Sequence, residues 1–564
     1  MSAAVLMGAG AATAASPPHI IHMMVDDVGW NDLGYHSGSA FSPRIDALAL
    51  DGVRLTNHHA FKVCSPSRSS FHTGRLPWQM GMYDNDGSAV APWIDVDGKK
   101  LVAPLNFSLL PELLAKRGYH NEAIGKWHLG YAHSAYTPTK RGYANFLGYY
   151  EAMTKDYWAH THAAADSCPG PGLDGLWPAL ANTSGANFRL SADNGTYEST
   201  LFGDRAVRII HDHAATRAGT PLFMYLAWHE EHDPHQASRD NIARFDGTVR
   251  SDTYKVTAAQ IWTMDVQVGR VVDALNATGM LSNAVVSLSS DNGGPLDHAN
   301  NWPHRGGKHT VYEGGIRTQA FVWASPALMP AAARGTKYGG LMHVADWRST
   351  YAEGVVGLTA AEVDDGGAFA SESHNHWASI VGSAEPPRDT LIHTVHSPKY
   401  YPGNCTMQWW GGRNCAAVIT IGELKLIHGF AGDPRRKRLD EDTSGATVPF
   451  GLSGGRCGLA GFDDRCDSPG NTSGKPKPEP DDPDGCLHGC LFNLTADGGE
   501  SHNLYHDAAH ADDVARLTAK LATAGATAPP WSQAPELAHL TSDELNAQLC
   551  AAAKSAAGVV PIDV

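Results

Sequence analysis

The feature that most constrains this chain is a change of texture repeated between residues 18 and 330. Short apolar runs of strand length alternate there with amphipathic stretches of helical period. Parallel strands need long crossovers, and helices must then cover both faces of their sheet. The alternation therefore predicts an α/β fold on a mostly parallel sheet. The strand-like runs are residues 19–25, 122–125, 222–228, 284–289 and 318–323. Helices are expected at 66–73, 109–117, 201–213 and 257–274. Pro66 suits a first helical turn and Gly74 suits the stop.

Four of these runs end in residues that carry chemistry. Residues 19–25 lead into Asp26 and Asp27, and 122–125 into Lys126 and His128. Residues 222–228 precede His229 and His232, and 284–289 precede Asp291 and Asn292. In an open α/β sheet, ligands gather beyond the carboxyl ends of the strands. The four motifs are therefore expected to converge.

At 564 residues the chain is long enough for two domains. The first is expected over 18–395, and a smaller C-terminal domain over 396–564. In the latter, 417–430 (AVITIGELKLIHGF) reads as a hairpin of an antiparallel sheet, and 491–493 as a further strand. Residues 432–485, which include SGKPKPEPDDPDG, are expected as an exposed flexible loop, and 508–556 as one or two surface helices. Residues 1–16 are small and apolar and end in an Ala-Thr-Ala pattern, as a signal peptide does. The sequence contains no membrane-spanning run of about eighteen apolar residues.

Sequons at Asn106, Asn182, Asn194, Asn276, Asn404, Asn471 and Asn493 favour the secretory route, to an extracellular or lysosome-like compartment. Nine cysteines leave one over if eight pair. Cys405 and Cys415, Cys457 and Cys466, and Cys486 and Cys490 are close enough in sequence for local bridges, and Cys64 is the candidate for the unpaired thiol. The net charge of −16 argues against nucleic acid and against an anionic membrane surface. The 30 histidines would largely cancel that charge near pH 5, which suits an acidic compartment.

Asp26, Asp27, Asp291 and Asn292 offer oxygen ligands alone, which suits a hard cation such as Ca²⁺ or Mg²⁺ and not zinc. Each pair by itself reads more simply as a strand-end turn. Two pairs, each closing an apolar strand, shift the balance to a metal. Arg68, Lys126, His128, His232 and Lys308 are ordinary surface residues one by one. Gathered beside a divalent cation they make a pocket for a tetrahedral dianion such as phosphate or sulfate. Cys64 stands at the N-terminus of the helix over 66–73, where backbone N–H groups favour an anion.

Residues 61–75 read FKVCSPSRSSFHTGR, and Cys64-Ser65-Pro66-Ser67-Arg68 with Thr73-Gly74-Arg75 resembles the type I sulfatase signature. VDDVGWNDLGYH (25–36), GKWHLG (125–130) and SSDNGG (289–294) agree with that family. NNWPHRGGKHTVYEGGIR (300–317) is similar to the arylsulfatase B, or N-acetylgalactosamine-4-sulfatase, subgroup. The likeness covers residues 19–350, with a weaker echo at 417–430 and 491–504.

The resemblance implies an alkaline-phosphatase-like core flanked by helices, and one Ca²⁺ held by Asp26, Asp27, Asp291 and Asn292. It also implies that a formylglycine-generating enzyme oxidises Cys64 to Cα-formylglycine, which completes the metal shell. One hydroxyl of the aldehyde hydrate attacks the sulfur of a sulfated small molecule or saccharide. The other hydroxyl expels sulfate by re-forming the aldehyde. In the same implication Arg68 fixes the formylglycine and metal side, and His128 serves the second hydroxyl. Lys126, His232 and Lys308 hold the sulfate, and His232 or Lys308 protonates the leaving oxygen.

Departures from the pattern fall around the leaving-group side. His309 and Thr310 follow Lys308, HEEHDPHQ (229–236) is rich in histidine, and the loop at 432–485 is enlarged. Trp158, Trp409 and Trp410 are candidate sugar-stacking residues, each weighed against plain core filling. Three other functions share these residues: a phosphate or phosphonate ester hydrolase, a catalytically silent extracellular binder, and a cysteine-nucleophile hydrolase.

Overall fold

The computed structural model describes residues 16–82, 103–130, 134–150, 195–365, 371–395, 416–429, 431–432 and 489–528, with residues 154, 156–158, 160–163, 176–178, 181–184, 456–457, 465–467 and 486. Its main sheet has nine strands. They are β1 (His19–Val25), β2 (Val53–Leu55), β3 (His120–Lys126), β4 (Asn145–Tyr149), β5 (Ala181–Ser184), β6 (Leu222–Ala227), β7 (Ala284–Ser290), β8 (Ala320–Ala324) and β9 (Lys337–Tyr338). The order across the sheet is β9-β2-β8-β7-β1-β6-β3-β4-β5. The five central strands, β7 to β4, run parallel.

β1 shows why its run is mostly apolar. Ile20 and Met24 pack on one face with Phe71 and Leu113, and Ile21, Met23 and Val25 on the other with Phe202 and Met264. Each such buried side chain stabilises the fold by roughly 1.5–3 kcal/mol. The covering helices include α1 (Pro43–Asp51), α2 (Cys64–Thr73), α3 (Glu198–Thr216) and α4 (Asp252–Ala277). The Ser251 hydroxyl caps α4 by accepting from the Tyr254 N–H. α3 and α4 outrun the expected spans at both ends, and α2 starts two residues early, at Cys64 itself. The helix expected at 109–117 is shorter, Leu110–Ala115.

The strand expected at 318–323 forms as β8, but it runs antiparallel to both β7 and β2. The connection from β7 to β8, residues 291–319, carries Asp291, Asn292 and Lys308 and is long enough for either sense, so its length does not set the direction.

A second, antiparallel sheet joins β10 (Thr390–Thr394), β11 (Ala417–Ile421), β12 (Leu424–His428) and β13 (Cys490–Asn493), in that order. Its first strand comes from upstream of the expected division at 395. One face carries Ile419, Leu426 and Leu491 against Leu517 and Leu521 of α5 (Ala511–Thr527). The other carries Val418, Ile427 and Phe492 against Val311 and Tyr312, which follow Lys308 in the chain.

Within the span expected as a structureless loop, Arg456–Cys457 and Arg465–Asp467 form a ladder, with Cys457 opposite Cys466. Arg465–Asp467 also pairs with Gln236–Ser238, just beyond His232. Backbone pairing to a strand near the site fixes this piece where composition alone predicted freedom. Cys486 and Cys490 form a disulfide. Residues 1–15, Cys405, Cys415, Trp409, Trp410 and 529–564 lie outside the described residues. Among described residues, no helix is long and apolar enough to cross a membrane.

Candidate active site

Register aligns the strand ends. Val25 of β1 stands opposite Ser290 of β7, so Asp26 and Asp291 leave the sheet at one level. Gly125 of β3 stands opposite Ala227 of β6, which brings Lys126 and the segment after Trp228 to the same edge. Gly125 has φ +96°, and a Cβ there would lie 1.8 Å from the Ala227 carbonyl oxygen. Any other residue would push these strands apart. Gly293 plays a similar part: a Cβ would fall 1.8 Å from the Gly314 oxygen, so the segment after Asn292 lies directly on the 300–317 segment.

All the expected site residues meet in one cluster. Lys126 Nζ donates to Asp26 Oδ2 at 2.6 Å, and Lys308 Nζ to Asp27 Oδ2 at 2.6 Å. His232 Nε2 is 3.7 Å from the same Asp27 oxygen. Arg68 reaches Asp291 Oδ2 through Nε at 2.9 Å and its second nitrogen at 2.8 Å, and that nitrogen lies 3.5 Å from Asp26 Oδ1. Asn292 Nδ2 donates to Asp27 Oδ1 at 2.7 Å. Cys64 Sγ lies 3.5 Å from Asp26 Oδ1. His128 joins through its backbone, whose carbonyl accepts from the Ser65 hydroxyl at 2.8 Å. Asp27 and His128 hold φ at +64° and +56°, strained values that cluster at functional sites.

The cluster is almost wholly removed from water. Three carboxylates, Asp26, Asp27 and Asp291, face three cations, Arg68, Lys126 and Lys308. Burial alone would push the Asp26 carboxyl up; the cations around it, Lys126 foremost with Arg68 and Lys308, hold it well below the carboxylate range. Asp291 behaves oppposite to this: burial and the Asp26 charge push it up to about 6. Burial works against the Lys308 ammonium, but Asp27 more than reverses that and keeps it charged. His128 and His232 are both driven down by burial and neighbouring lysines, so both are neutral. His232 Nδ1 lies 2.9 Å from the Asp233 carbonyl oxygen, which can only accept. The proton therefore sits on Nδ1, and Nε2 presents its lone pair to the cluster.

Cys64 is buried and unpaired. Burial and then Asp291 push its thiol well up, so no thiolate forms there near neutrality. That environment disfavours a cysteine nucleophile.

The donor set fits a hard cation. Asn292 Oδ1 is buried and accepts no hydrogen bond, a lone pair left over at the centre of the cluster. One ligand atom each from Asp26, Asp27, Cys64 and His232 lies within 4.8 Å of the others. Carboxylate and amide oxygens suit Ca²⁺, whereas a thiol at position 64 does not and an oxygen there would. His232, expected on the substrate side alone, shares this cluster.

Other histidines of 229–236 look outward from it. His229 stacks on His232 with ring centroids 5.2 Å apart, and its Nδ1 meets the buried Glu198 at 3.1 Å. His235 packs tilted against His298, with ring centroids 4.6 Å apart. Trp158 is core filling, edge-on to Tyr197 and buried. Glu198 behind His229 was not singled out from the sequence; an acidic residue on a helix gives no local sign of facing inward.

The family model named Sulfatase matches residues 18–353. Mouse arylsulfatase J is 32% identical over 423 residues, covering 74% of this chain and 65% of that protein. Mouse N-acetylgalactosamine-6-sulfatase is 31% identical over 56% of this chain and 59% of its own length. The chain thus spans just under two thirds of the length of these curated relatives. Among solved structures, Ps i-CgsB in complex with k-i-k-neocarrahexaose aligns with TM-score 0.66 and 20% identity over 95% of this chain and 98% of that one. The PsFucS1 sulfatase from Pseudoalteromonas sp. aligns with TM-score 0.60 and 19% identity over 91% of each chain. Those two share the fold, an alkaline-phosphatase-like α/β sheet with a smaller antiparallel sheet beside it. Motifs, strand-end geometry and a family match over more than half the sequence agree: this chain belongs to the sulfatase family.

Proposed function

We propose that the protein hydrolyses sulfate esters, of a sulfated saccharide or an aryl sulfate. The observation that carries this reading is the convergence of Asp26, Asp27, Asp291 and Asn292 around Cys64, with Arg68, Lys126, His232 and Lys308 within hydrogen-bond or ion-pair reach of those carboxylates. Asp26, Asp27, Asp291 and Asn292 would hold Ca²⁺. Residue 64, oxidised from cysteine to formylglycine by a formylglycine-generating enzyme, supplies an oxygen nucleophile as its hydrate, and Ca²⁺ when bound acidifies that group.

The chain's own residues do the rest. Arg68 fixes Asp291 and Asp26 in place through its paired nitrogens. His128 has a buried Nδ1 without a hydrogen-bond partner, the atom suited to hold a proton from residue 64. Lys126 and Lys308 draw the oxygens of the sulfate ester, which carries a single negative charge. Lys308, held charged by Asp27, is the better proton donor to the leaving oxygen. His232, with its proton on Nδ1, accepts at Nε2.

The names of relatives at 31–32% identity support arylsulfate or N-acetylgalactosamine sulfate as substrate class. The narrower likeness to the 4-sulfatase subgroup rests on NNWPHRGGKHTVYEGGIR. We place the chain in the secretory pathway, in keeping with the Cys486–Cys490 disulfide and the exposed sequons at Asn106 and Asn276.

The test is turnover of p-nitrophenyl sulfate and p-nitrophenyl phosphate side by side, with conversion at position 64 verified by mass spectrometry. Preference for sulfate is expected. Converted protein that cleaves only the phosphate, or neither, overturns the proposal.

A further inference from the structure

The segment 301–313, which carries Lys308, is gripped on both sides. On its inner side the Lys308 N–H donates to the Gly294 carbonyl at 3.0 Å and the His309 N–H to the Lys62 carbonyl at 2.9 Å. Those contacts tie it to the segments that follow Asn292 and precede Cys64. On its outer side it is tied to the C-terminal region, at residues 431–500. The Val311 N–H donates to the Ala431 carbonyl at 2.9 Å, and His304 Nδ1 lies 2.9 Å from the Gly498 carbonyl. Arg305 donates to the Glu500 carbonyl at 3.1 Å. The Tyr312 hydroxyl meets Cys486 Sγ, half of the disulfide, at 3.5 Å.

The centre of this grip is ionic and dry. Lys425 Nζ, on β12, donates to Glu313 Oε1 at 2.8 Å and to Glu500 Oε1 at 2.7 Å. The second Glu500 oxygen accepts from the Glu313 N–H at 2.6 Å. The second Glu313 oxygen meets His59 at 3.2 Å and Arg317 at 3.3 Å. Lys425, Glu313 and Glu500 are completely buried. A charge cluster of this kind contributes little net stability compared with apolar packing, so stability alone does not account for it. Its geometry is demanding: five groups from four separate stretches of chain fix the end of the Lys308 segment.

We propose that Lys425 and Glu500 are positioning residues that set Lys308 from the C-terminal domain, so that this domain is part of the sulfate-binding machinery. The proposal rests on the reading of Lys308 as a sulfate-holding residue. Neither Lys425 nor Glu500 touches the reacting atoms; both act through Glu313 and the segment before it.

The experiment measures the inhibition constant of inorganic sulfate, with p-nitrophenyl sulfate as substrate, for Lys425→Met, Lys308→Ala and the double variant. Lys425→Met is expected to weaken sulfate inhibition by about tenfold, and by less than about twofold once Lys308 is already Ala, because coupled residues are not additive. A purely structural role would lower the active fraction and leave the constant alone. Sulfate inhibition that responds to Lys308→Ala but not to Lys425→Met overturns this proposal alone. Inhibition indifferent to Lys308→Ala overturns the reading of Lys308, and this proposal with it. If Lys425→Met does not fold, Glu500→Gln carries the same cycle: it keeps the volume and removes one of two acceptors. An equal weakening in both backgrounds then counts against the coupling.

Discussion

Among the described residues, two buried clusters of lysine and carboxylate can be set side by side, and their difference is instructive. In the first, Lys126 and Lys308 face Asp26 and Asp27 at the strand ends; in the second, Lys425 faces Glu313 and Glu500 under the C-terminal sheet. All four carboxylate oxygens of the second cluster are engaged by donors of the protein itself. The first cluster is as dry, but it leaves Asn292 Oδ1 and His128 Nδ1 without partners, whereas the second leaves open a ring nitrogen of His59 and no carboxylate oxygen. Saturated polar groups in a low dielectric lock elements together; leftover lone pairs are costly there unless something else binds them. One cluster is built to hold the protein, the other to receive a guest.

The sharpest way to break that contrast is to remove the group at the centre of the receiving cluster. Cys64→Ala is expected to lower kcat by roughly 10⁵-fold or more, as loss of a nucleophile does elsewhere, while the far-ultraviolet circular dichroism stays unchanged. Iodoacetamide is expected to leave the mature enzyme active. Stoichiometric inactivation at position 64 would place a thiol where an aldehyde is proposed.

Next in size is the metal. Ca²⁺ is expected to raise the thermal midpoint of the wild type by several degrees at saturating concentration, following the mass-action relation for a ligand of the native state. Asp27→Asn should abolish that rise. A Ca²⁺-dependent midpoint that survives the change would move the metal elsewhere.

The smallest effect belongs to the closed cluster. Burial and the Glu313 charge, opposed by Lys425, put Glu500 at about 7, above its ordinary 4.5. A carboxyl raised on folding favours the native state while protonated, so its contribution is complete below pH 4.5 and fades as the pH climbs through 7. Between pH 5 and 8 the wild-type midpoint should fall by about 2 °C more than that of Glu500→Gln. Parallel profiles would show that Glu500 is ionised throughout.

The two clusters also differ in how openly the sequence announces them. Asp26-Asp27 and Asp291-Asn292 interrupt apolar strands at their ends, and period and position together pointed to one sheet edge. Lys425 was harder to read. It sits inside AVITIGELKLIHGF at a position whose neighbour on the same face, Ile427, packs against Val311 and Tyr312. A lysine on the apolar face of a strand is a local contradiction, and its resolution by Glu313 and Glu500 depends on a domain contact that no local pattern encodes. The reversed direction of β8 was missed for the same reason: an apolar run gives a strand without giving its sense. The ladder between 236–238 and 465–467 joins segments more than two hundred residues apart, and composition spoke only for a loop.

The burial of the residue 64 side chain has a consequence in time as well as in space. Sealed between the first turn of α2 and the strand ends, it is out of reach of any second protein once the fold has closed. An enzyme that rewrites it must therefore meet the chain while it is still open, during synthesis or soon after. Each molecule is committed before it is finished. Protein renatured from denaturant without that earlier encounter would regain its shape and stay inert.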